Sequence, residues 1–189
     1  ALLAGAFDRL TAQFGEWETP GGHRATFIYR AFTSDLNTIN ACLDDDEYSL
    51  PSGKRGLALD IGAYIGAVTV ALALDNPHLR VTAIEPVPDN LRLLRENVSR
   101  NGLEGRVRII EGAAGKGQVT VRHGFRGSEA AEHHAFVGNS SLFAAPYSAE
   151  YQESTFEGWP LSQLATERVV FAKIDIEGGE FDLLDDPAV

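Results

Sequence analysis

Hydrophobic and polar positions follow their most regular pattern in the middle of the chain. The pattern predicts a strand, a helix, a strand, a helix and a strand over residues 56–61, 66–74, 80–84, 88–101 and 106–111. A later strand is predicted at residues 169–174, and a helix begins within residues 178–184. Strands that alternate with helices are typical of a mostly parallel sheet with right-handed crossovers. We therefore expect an α/β domain over residues 51–189.

The first fifty residues are less regular. Apolar residues at three- and four-residue steps predict an amphipathic helix over residues 2–14. A short strand is expected at residues 25–29, before a helix that begins at Ser34 or Asp35. We interpret residues 1–50 as an N-terminal cover segment that is helical in part.

A loop or lid is expected before the last predicted strand. Residues 117–122 have the pattern of a short strand, whereas residues 124–141 are rich in Gly, Ser, Ala and His and have no clear period. His133 and His134 lie in this stretch, and a histidine whose pKa is near neutrality can take a proton. A histidine pair in a polar loop is more often only solvated.

Composition narrows the class of protein. The chain has 189 residues, of which 44% are hydrophobic, so it can bury one sizeable core. Its formal net charge is -11 and its acids are spread along the chain, which argues against binding to nucleic acid. Cys42 is the one cysteine, no apolar run is long enough to span a membrane, and no signal peptide pattern is present. We expect a cytoplasmic protein that binds neither nucleic acid nor membrane; the oligomeric state stays open.

A buried strand leads into a glycine turn and then into a helix at residues 57–66. Gly62 and Gly66 are expected to remove side chains where a ligand would sit, and the helix presents its first amides to the carboxylate of an amino-acid ligand. Asp60, at the carboxyl end of the strand, can receive a cationic group. A dinucleotide-binding turn needs glycine at position 64, where Tyr64 stands, so a nicotinamide oxidoreductase is disfavoured.

Glu85 closes the second strand of this unit. A carboxylate at that place can accept hydrogen bonds from both hydroxyls of a ribose. A single acid at a strand end is more often only solvated, and a lone Gly-x-x-x-Gly is weak evidence. Because Asp60, the glycine turn and Glu85 occur in strand–helix–strand order, they favour a site for an adenosine-type ligand.

Three blocks of sequence carry a resemblance to a known family. They are Leu59-Asp60-Ile61-Gly62-Ala63-Tyr64-Ile65-Gly66, Ile84-Glu85-Pro86-Val87-Pro88-Asp89-Asn90 and Lys173-Ile174-Asp175-Ile176-Glu177-Gly178-Gly179-Glu180. In this order they resemble the FkbM family of S-adenosylmethionine-dependent methyltransferases. The block after the late strand is more diagnostic than the glycine turn, which many methyltransferases share. The resemblance runs from about residue 56 to residue 184 and does not reach residues 1–50.

The resemblance implies a Rossmann-like class I methyltransferase fold, with a mostly parallel sheet and helices on both faces. It implies S-adenosylmethionine as the cofactor, with its methionine end at Asp60 and the glycine turn and its ribose at Glu85. It also implies that Ala113 lies near the adenine and that Asp175 lies at the reactive end. The residues expected to contact the cofactor are Asp60, Gly62, Ala63, Tyr64, Gly66, Glu85, Pro86, Ala113 and Asp175.

Methyl transfer from a sulfonium has a good neutral leaving group, so much of the catalysis can come from placing the acceptor opposite the sulfur. A general base helps when the acceptor is a hydroxyl, and Asp175, Glu177 and His134 are the candidates, with His133 beside the last. Asp175 follows a strand, where ligands bind in open α/β sheets, although it could instead cap the next helix. We predict no metal.

These observations favour an S-adenosylmethionine-dependent methyltransferase of the EC 2.1.1 class that methylates a hydroxyl of a small molecule or a carbohydrate. The chain ends shortly after the fourth strand of the family's order, so we expect the last strands of the fold to be lacking and the domain to be incomplete at its C-terminus. That expectation keeps one alternative open, a non-catalytic domain that binds an adenosine ligand or serves as a scaffold.

Overall fold

The computed structural model describes residues 12–31, 33–124, 136–137, 151–176 and 179–185. The strands are β1 (Ala12–Glu18), β2 (Arg24–Arg30), β3 (Arg55–Ile61), β4 (His78–Glu85), β5 (Val107–Glu111), β6 (Gln118–Gly124), β7 (Phe136–Val137), β8 (Tyr151–Glu157) and β9 (Val169–Ile174). The helices are α1 (Asp35–Leu43), α2 (Ala67–Asp75), α3 (Pro88–Arg100), α4 (Leu161–Leu164) and α5 (Glu180–Leu184).

Four parallel strands form the central sheet, in the order β5-β4-β3-β9. Residues on β3 alternate between the two faces of this sheet, as the two-residue period of a strand requires. Ala58 belongs to a core that also holds α1, α2 and α3, whereas Leu57, Leu59 and Ile61 belong to a second core. That second core includes Val121 of β6 and residues of α4 and α5. The prediction of a parallel sheet with helices on both faces is therefore confirmed, and the helices described on the second face, α4 and α5, are short.

The alternating elements lie close to where the sequence predicts them. The glycine turn separates β3 from α2, and Pro88 stands in the first turn of α3, where a missing backbone N–H is harmless. This α/β arrangement defines a Rossmann-like fold. No helix in the described part of the chain is both long enough and apolar enough to cross a membrane.

The N-terminal segment packs as a β-hairpin and a helix on the face that carries α2 and α3. β1 pairs with β2 along its whole length, from Ala12 opposite Arg30 to Glu18 opposite Arg24. The helix predicted over residues 2–14 is therefore wrong for residues 12–14, because backbone pairing with β2 overrides the local spacing of apolar side chains. Residues 2–11 lie outside the described residues. The strand expected at 25–29 and the helix expected from Ser34 or Asp35 are confirmed by β2 and α1.

An antiparallel sheet of β7, β6 and β8 follows the parallel core. β6 was expected from the sequence, whereas β8 was not, because its residues YQESTFE are mostly polar and show no apolar face. Pairing with β6 from Gln118 opposite Glu157 to Gly124 opposite Tyr151 decides its conformation. Most of the expected lid at residues 124–141 lies outside the described residues.

Asn97 of α3 joins the hairpin to the rest of the fold. Its side chain is fully buried, its Oδ1 accepts a hydrogen bond from the amide of Ile28 at 2.8 Å, and its Nδ2 donates to the carbonyls of Ile28 and Ile65 at 3.2 and 2.8 Å. Ala25 and Phe27 of β2 are buried in the same core as α2 and α3. Residues of the hairpin thus share hydrogen bonds and apolar contacts with the Rossmann-like core, while the boundary between residues 1–50 and 51–189 stays a prediction.

The substitution Asn97→Ala tests this attachment. It leaves backbone groups of Ile28 and Ile65 buried without their partner, so we expect the free energy of unfolding to fall by about 2–3 kcal/mol. The measurement is a urea titration followed by circular dichroism, with Ser99→Ala, an exposed change on the same helix, as the control. Equal unfolding midpoints for the two variants would show that Asn97 does not hold the hairpin.

Candidate active site

The carboxyl ends of β4, β3 and β9 meet at one edge of the sheet in matching register. Ile61 lies opposite Ile84 on one side and Ile174 on the other. The residues that follow these three positions, Gly62, Glu85 and Asp175, consequently stand side by side at the same level. The amide of Gly62 donates to the carbonyl of Ile84 at 3.1 Å, and the amide of Asp175 donates to the carbonyl of Ile61 at 3.0 Å.

A cavity of about 360 Å³ opens at this edge. Its floor is formed by the residues after the three strands, and its other wall by α1 and the segment that follows α1. The lining residues are Ser34, Asn37, Thr38, Ala41, Cys42, Glu47, Tyr48, Gly62, Ala63, Tyr64, Ala67, Val68, Glu85, Pro86, Asn90, Lys173, Asp175 and Ile176. The volume lies within the range of small-molecule sites.

Gly62 is required by the protein's own packing. Its φ is +80°, and a Cβ at this position would lie 1.9 Å from the carbonyl oxygen of Asp175. Gly66 has a φ of +91°, and its Cβ would lie 2.6 Å from Cδ1 of Leu94. From the sequence, both glycines were explained by a ligand that needs the space of their side chains. That explanation is wrong, since backbone and side-chain atoms of the protein already occupy the positions where their Cβ atoms would lie. Gly62 nevertheless lines the cavity, whereas Gly66 does not.

Tyr64 lies between the two glycines in a left-handed conformation, with a φ of +53°. Such a conformation is unfavourable for a residue with a side chain and persists where the surroundings fix it. The amide of Tyr64 donates to Oε2 of Glu85 at 2.9 Å, and its hydroxyl donates to Oδ1 of Asp35 at 2.6 Å. The turn is thereby tied both to the sheet and to α1.

Glu85 is buried at the end of β4 with both carboxylate oxygens engaged. Oε2 accepts from the amide of Tyr64, while Oε1 accepts from the amide of Val87 at 3.0 Å and from Nδ2 of Asn90 at 3.3 Å. Burial raises the pKa of Glu85 to about 7, although the hydrogen bonds from Val87, Tyr64 and Asn90 favour the charged form. A carboxylate can accept further hydrogen bonds, because each of its oxygens has two lone pairs.

Asp60 lies beneath the turn and does not line the cavity. Its Oδ2 accepts a hydrogen bond from Thr69 at 2.5 Å, and its Oδ1 lies 3.7 Å from Nζ of Lys173. The cation that faces Asp60 in this structure is therefore the side chain of Lys173. The same Nζ donates to the carbonyl of Gly62 at 2.6 Å, so this lysine joins β9 to the glycine turn.

Asp175 lies at the opposite end of the cavity floor from Glu85. Its Oδ2 accepts a hydrogen bond from the hydroxyl of Tyr48 at 2.9 Å and lies 3.7 Å from Nζ of Lys173. Its side chain is 46% exposed, so the carboxylate is accessible from the cavity. Burial and the nearby charge of Asp175 raise the pKa of Tyr48, which keeps the phenol protonated and able to donate. The next helix, α5, has Gly179 at its N-cap and no side-chain cap, and the amide of Ile176 donates to Oε1 of Glu180 at 3.0 Å.

The structure brings six of the nine expected cofactor residues together. Asp60 is buried below the cavity, Gly66 stands at the start of α2, and Ala113 is buried in the second core away from the lining. The six that line the cavity are Gly62, Ala63, Tyr64, Glu85, Pro86 and Asp175. Of the expected catalytic residues, Asp175 is in the cavity, while Glu177, His133 and His134 lie outside the described residues.

The cavity wall formed by α1 and Tyr48 was not predicted from the sequence. Its residues on α1 recur at three- and four-residue steps, which is the pattern of one helix face, but small and polar side chains there are equally typical of a face turned to solvent. The residues concerned are Ser34, Asn37, Thr38, Ala41, Cys42, Glu47 and Tyr48. The acids and tyrosine after α1 carry no local signal that predicts contact with Asp175, which lies far along the chain.

Comparison with known families identifies the protein's relatives. Residues 60–189 match the family described as the methyltransferase FkbM domain. The match covers most of the chain and contains the three blocks on which the resemblance was noted, except for Leu59 at the start of the first. The chain therefore belongs to the FkbM methyltransferase family.

Curated relatives share shorter segments. The cobalt-precorrin-6B C(15)-methyltransferase (decarboxylating) of Salmonella typhimurium is 46% identical over 56 residues, which are 30% of this chain and 29% of that protein. The ribosomal RNA small subunit methyltransferase G of Frankia alni is 39% identical over 57 residues, which are 30% of this chain and 22% of that protein. The matched segments thus span less than a third of the length of these relatives.

Two solved structures are among those to which parts of this chain are similar. The structure of M. jannaschii TYW2 in complex with AdoMet aligns with a TM-score of 0.40 at 24% identity, over 53% of this chain and 43% of that chain. The C-terminal domain of precorrin-6Y C5,15-methyltransferase from Rhodobacter capsulatus aligns with a TM-score of 0.32 at 34% identity, over 35% of each chain.

The substitution Gly62→Ala tests the close contact between the glycine turn and β9. Because the added methyl group meets a backbone oxygen, we expect a loss of about 4 kcal/mol or more in the free energy of unfolding. Gly53→Ala is the matched control, since Gly53 has a φ of +69° but no atom within 4 Å of the added carbon. The control should lose only about 1–2 kcal/mol from backbone strain. Similar losses in thermal or urea unfolding would contradict the contact.

The raised pKa of Glu85 predicts how stability depends on pH. The folded protein binds this proton more tightly than the unfolded chain, whose carboxyl has a pKa near 4.5. The stabilisation is therefore complete below about pH 4.5 and is lost as the pH rises to about 7, by an amount on the order of 3 kcal/mol. Urea titrations of the ligand-free protein and of Glu85→Gln from about pH 5 to about pH 8 should show a steeper decline in the wild type than in the variant. Parallel pH profiles would rule out a raised pKa at Glu85.

Proposed function

We propose that this protein is an S-adenosylmethionine-dependent methyltransferase that transfers a methyl group to a hydroxyl of a small molecule or a carbohydrate. The observation that carries this proposal is that the Gly62 turn, Glu85 and Asp175 lie at the same edge of the sheet, in matching register, around one cavity. Membership of the FkbM family supports methyl transfer as the chemistry. Bound S-adenosylmethionine would supply an activated methyl group on a sulfonium.

The lining residues fit the parts of such a cofactor. A buried carboxylate at Glu85 is suited to accept hydrogen bonds from ribose hydroxyls, and its partners Asn90 and Tyr64 hold it in place. Glu85 and Asp175 end strands on either side of β3, so they are separated by about two strand spacings, roughly 10 Å. A ligand whose ribose lies at Glu85 would thus place its sulfonium between Glu85 and Asp175, with its methyl group directed towards Asp175.

Charge at the cavity favours an uncharged or cationic acceptor. Glu47, Glu85 and Asp175 line it, and Lys173 is the only basic side chain among the described lining residues. Lys173 is already engaged with the carbonyl of Gly62 and with the acids on either side of it. A phosphate or a nucleic acid backbone would meet repulsion here, which agrees with the formal net charge of -11.

Asp175 is the candidate for contact with the acceptor. Tyr48 and Lys173 hold Oδ2, so the carboxylate is oriented while its side chain stays partly accessible. A hydroxyl that donates to this carboxylate would be aligned for attack and would have a group to receive its proton. Asp175 thus combines position and exposure, whereas roles for Glu177 and His134 remain proposals from the sequence.

Calorimetric titration of S-adenosylmethionine and S-adenosylhomocysteine tests the proposed function. Both should bind the wild type, and Glu85→Ala should weaken both by at least about tenfold, because hydrogen bonds from the ribose to a charged group are lost. NADH serves as the ligand that should not bind. Asp175→Asn should retain binding while lowering any methyl transfer. A folded wild-type protein that binds neither adenosine ligand would refute the proposal.

A further inference from the structure

Five residues next to the cavity form a closed ring of hydrogen bonds through their side chains and one backbone amide. Nη2 of Arg30 donates to Oδ1 of Asn90 at 2.9 Å, and Nδ2 of Asn90 donates to Oε1 of Glu85 at 3.3 Å. On the other side, Tyr64 donates through its amide to Oε2 of Glu85 and through its hydroxyl to Oδ1 of Asp35. The ion pair between Arg30 and Asp35 closes the ring, with Nε and Nη2 of Arg30 at 2.9 and 2.8 Å from the two carboxylate oxygens.

The ring is almost entirely removed from solvent. Arg30, Asp35, Glu85 and Asn90 are each at most 3% exposed. Buried hydrogen-bonded groups have few alternative partners, so each member restricts the orientation of the next. The guanidinium also lies over the Tyr64 ring, with Cζ 5.7 Å from the ring centroid. The two oxygens of Glu85 are consequently held from both sides by groups that lead back to one ion pair.

Arg30 and Asp35 come from the segment that precedes the family match, which begins at residue 60. Arg30 ends β2 and Asp35 begins α1, so the ion pair fixes the corner between the hairpin and the helix. The backbone amide of Arg30 also donates to Oδ2 of Asp35 at 2.8 Å, which sets the Asp35 carboxylate relative to the strand. The N-terminal segment therefore does more than cover the core. Its Arg30–Asp35 ion pair contacts Asn90 and Tyr64, the two residues that hold the carboxylate of Glu85.

Tyr64 shows why such a support is needed. Its left-handed backbone directs its amide towards Glu85, and a residue with a side chain does not hold that conformation without external contacts. The contacts come from its hydroxyl, which is bonded to Asp35 and lies 3.0 Å from Oγ of Ser34. Burial and the charge of Asp35 raise the pKa of the Tyr64 phenol, so it remains a donor.

We propose that Arg30 and Asp35 are positioning residues for the Glu85 carboxylate, acting through Tyr64 on one oxygen and through Asn90 on the other. This inference rests on the proposed function, in which Glu85 accepts hydrogen bonds from the cofactor ribose. If the ring were broken, Oε2 of Glu85 would no longer be held by the Tyr64 amide and Oε1 would keep only the amide of Val87, so the carboxylate could turn away from the direction of a ribose hydroxyl. The N-terminal segment thereby sets how well the site distinguishes an intact ribose from a deoxyribose.

The test compares S-adenosylhomocysteine with its 2′-deoxy analogue by calorimetry, which requires no knowledge of the acceptor. The wild type should bind the intact ribose at least about tenfold more tightly, because the analogue lacks one hydrogen bond to a charged group. Tyr64→Phe, which removes only the hydroxyl, and Asn90→Ala should each reduce this preference to about two- to threefold. Affinity for the 2′-deoxy analogue should change less than affinity for the intact ligand.

Tyr29→Phe is the matched control, since this tyrosine lies on the same hairpin and bonds only to Gln13 at 2.9 Å among the hydrogen bonds described for it. It should keep the wild-type preference. Asp35→Asn tests the ion pair directly and should behave like Tyr64→Phe. If it fails to fold, Tyr64→Phe and Asn90→Ala, which remove the partners of Asp35 and Arg30, still test the positioning role. A purely structural ring would weaken both ligands by the same factor.

Different results would overturn the positioning role and the proposed function. A wild-type preference for the intact ribose that is unchanged in both Tyr64→Phe and Asn90→Ala would overturn the positioning role and leave the proposed function standing. A folded wild type that binds neither ligand would overturn both.

Discussion

The site depends on the common register of β4, β3 and β9. Because Ile61 lies level with Ile84 and Ile174, the next residue of each strand reaches the same edge of the sheet. The close approach of β9 leaves no room for a side chain at position 62, where a Cβ would collide with the carbonyl of Asp175. A shift of one residue in either pairing would separate the glycine turn from the two carboxylates and turn their side chains to the other face.

Buried charge is the second organising feature, and four buried charged side chains in the described part of the chain form two ion pairs. Asp60 faces Lys173, which also reaches the Gly62 carbonyl, and Arg30 is paired with Asp35. Burial alone would raise the pKa of Asp35, but hydrogen bonds and charge from Arg30, with the Tyr64 hydroxyl, lower it overall. Glu85 has amide donors and no cation in direct contact among the described residues, and its pKa is raised. The carboxylate of Glu85 is thus less compensated than those of Asp35 and Asp60, which leaves it with more to gain from hydroxyl donors.

Pattern and structure agree best where local spacing and tertiary packing call for the same conformation. The strands and helices from β3 to β5 were predicted within a residue or two, because their apolar residues are buried on regular faces. The pattern fails for residues 12–14, which pair with β2, and for β8, whose polar residues are ordered by β6. In both places, hydrogen bonds to another strand determine the backbone conformation, and the pattern of apolar residues within a single segment does not reveal these bonds.

The sequence by itself determined the order of the α/β elements, the glycine turn, and the acids that close β4 and follow β9. These features are readable because each depends on neighbours in the chain. Only the tertiary structure decided that Asp60 lies below the site, that Ala113 belongs to the second core, and that α1 and Tyr48 form a wall of the cavity. It also decided that Arg30 and Asp35 reach Glu85 through Asn90 and Tyr64. Such contacts join residues far apart in the chain, so they exist only once the sheet register and the packing of the hairpin are fixed.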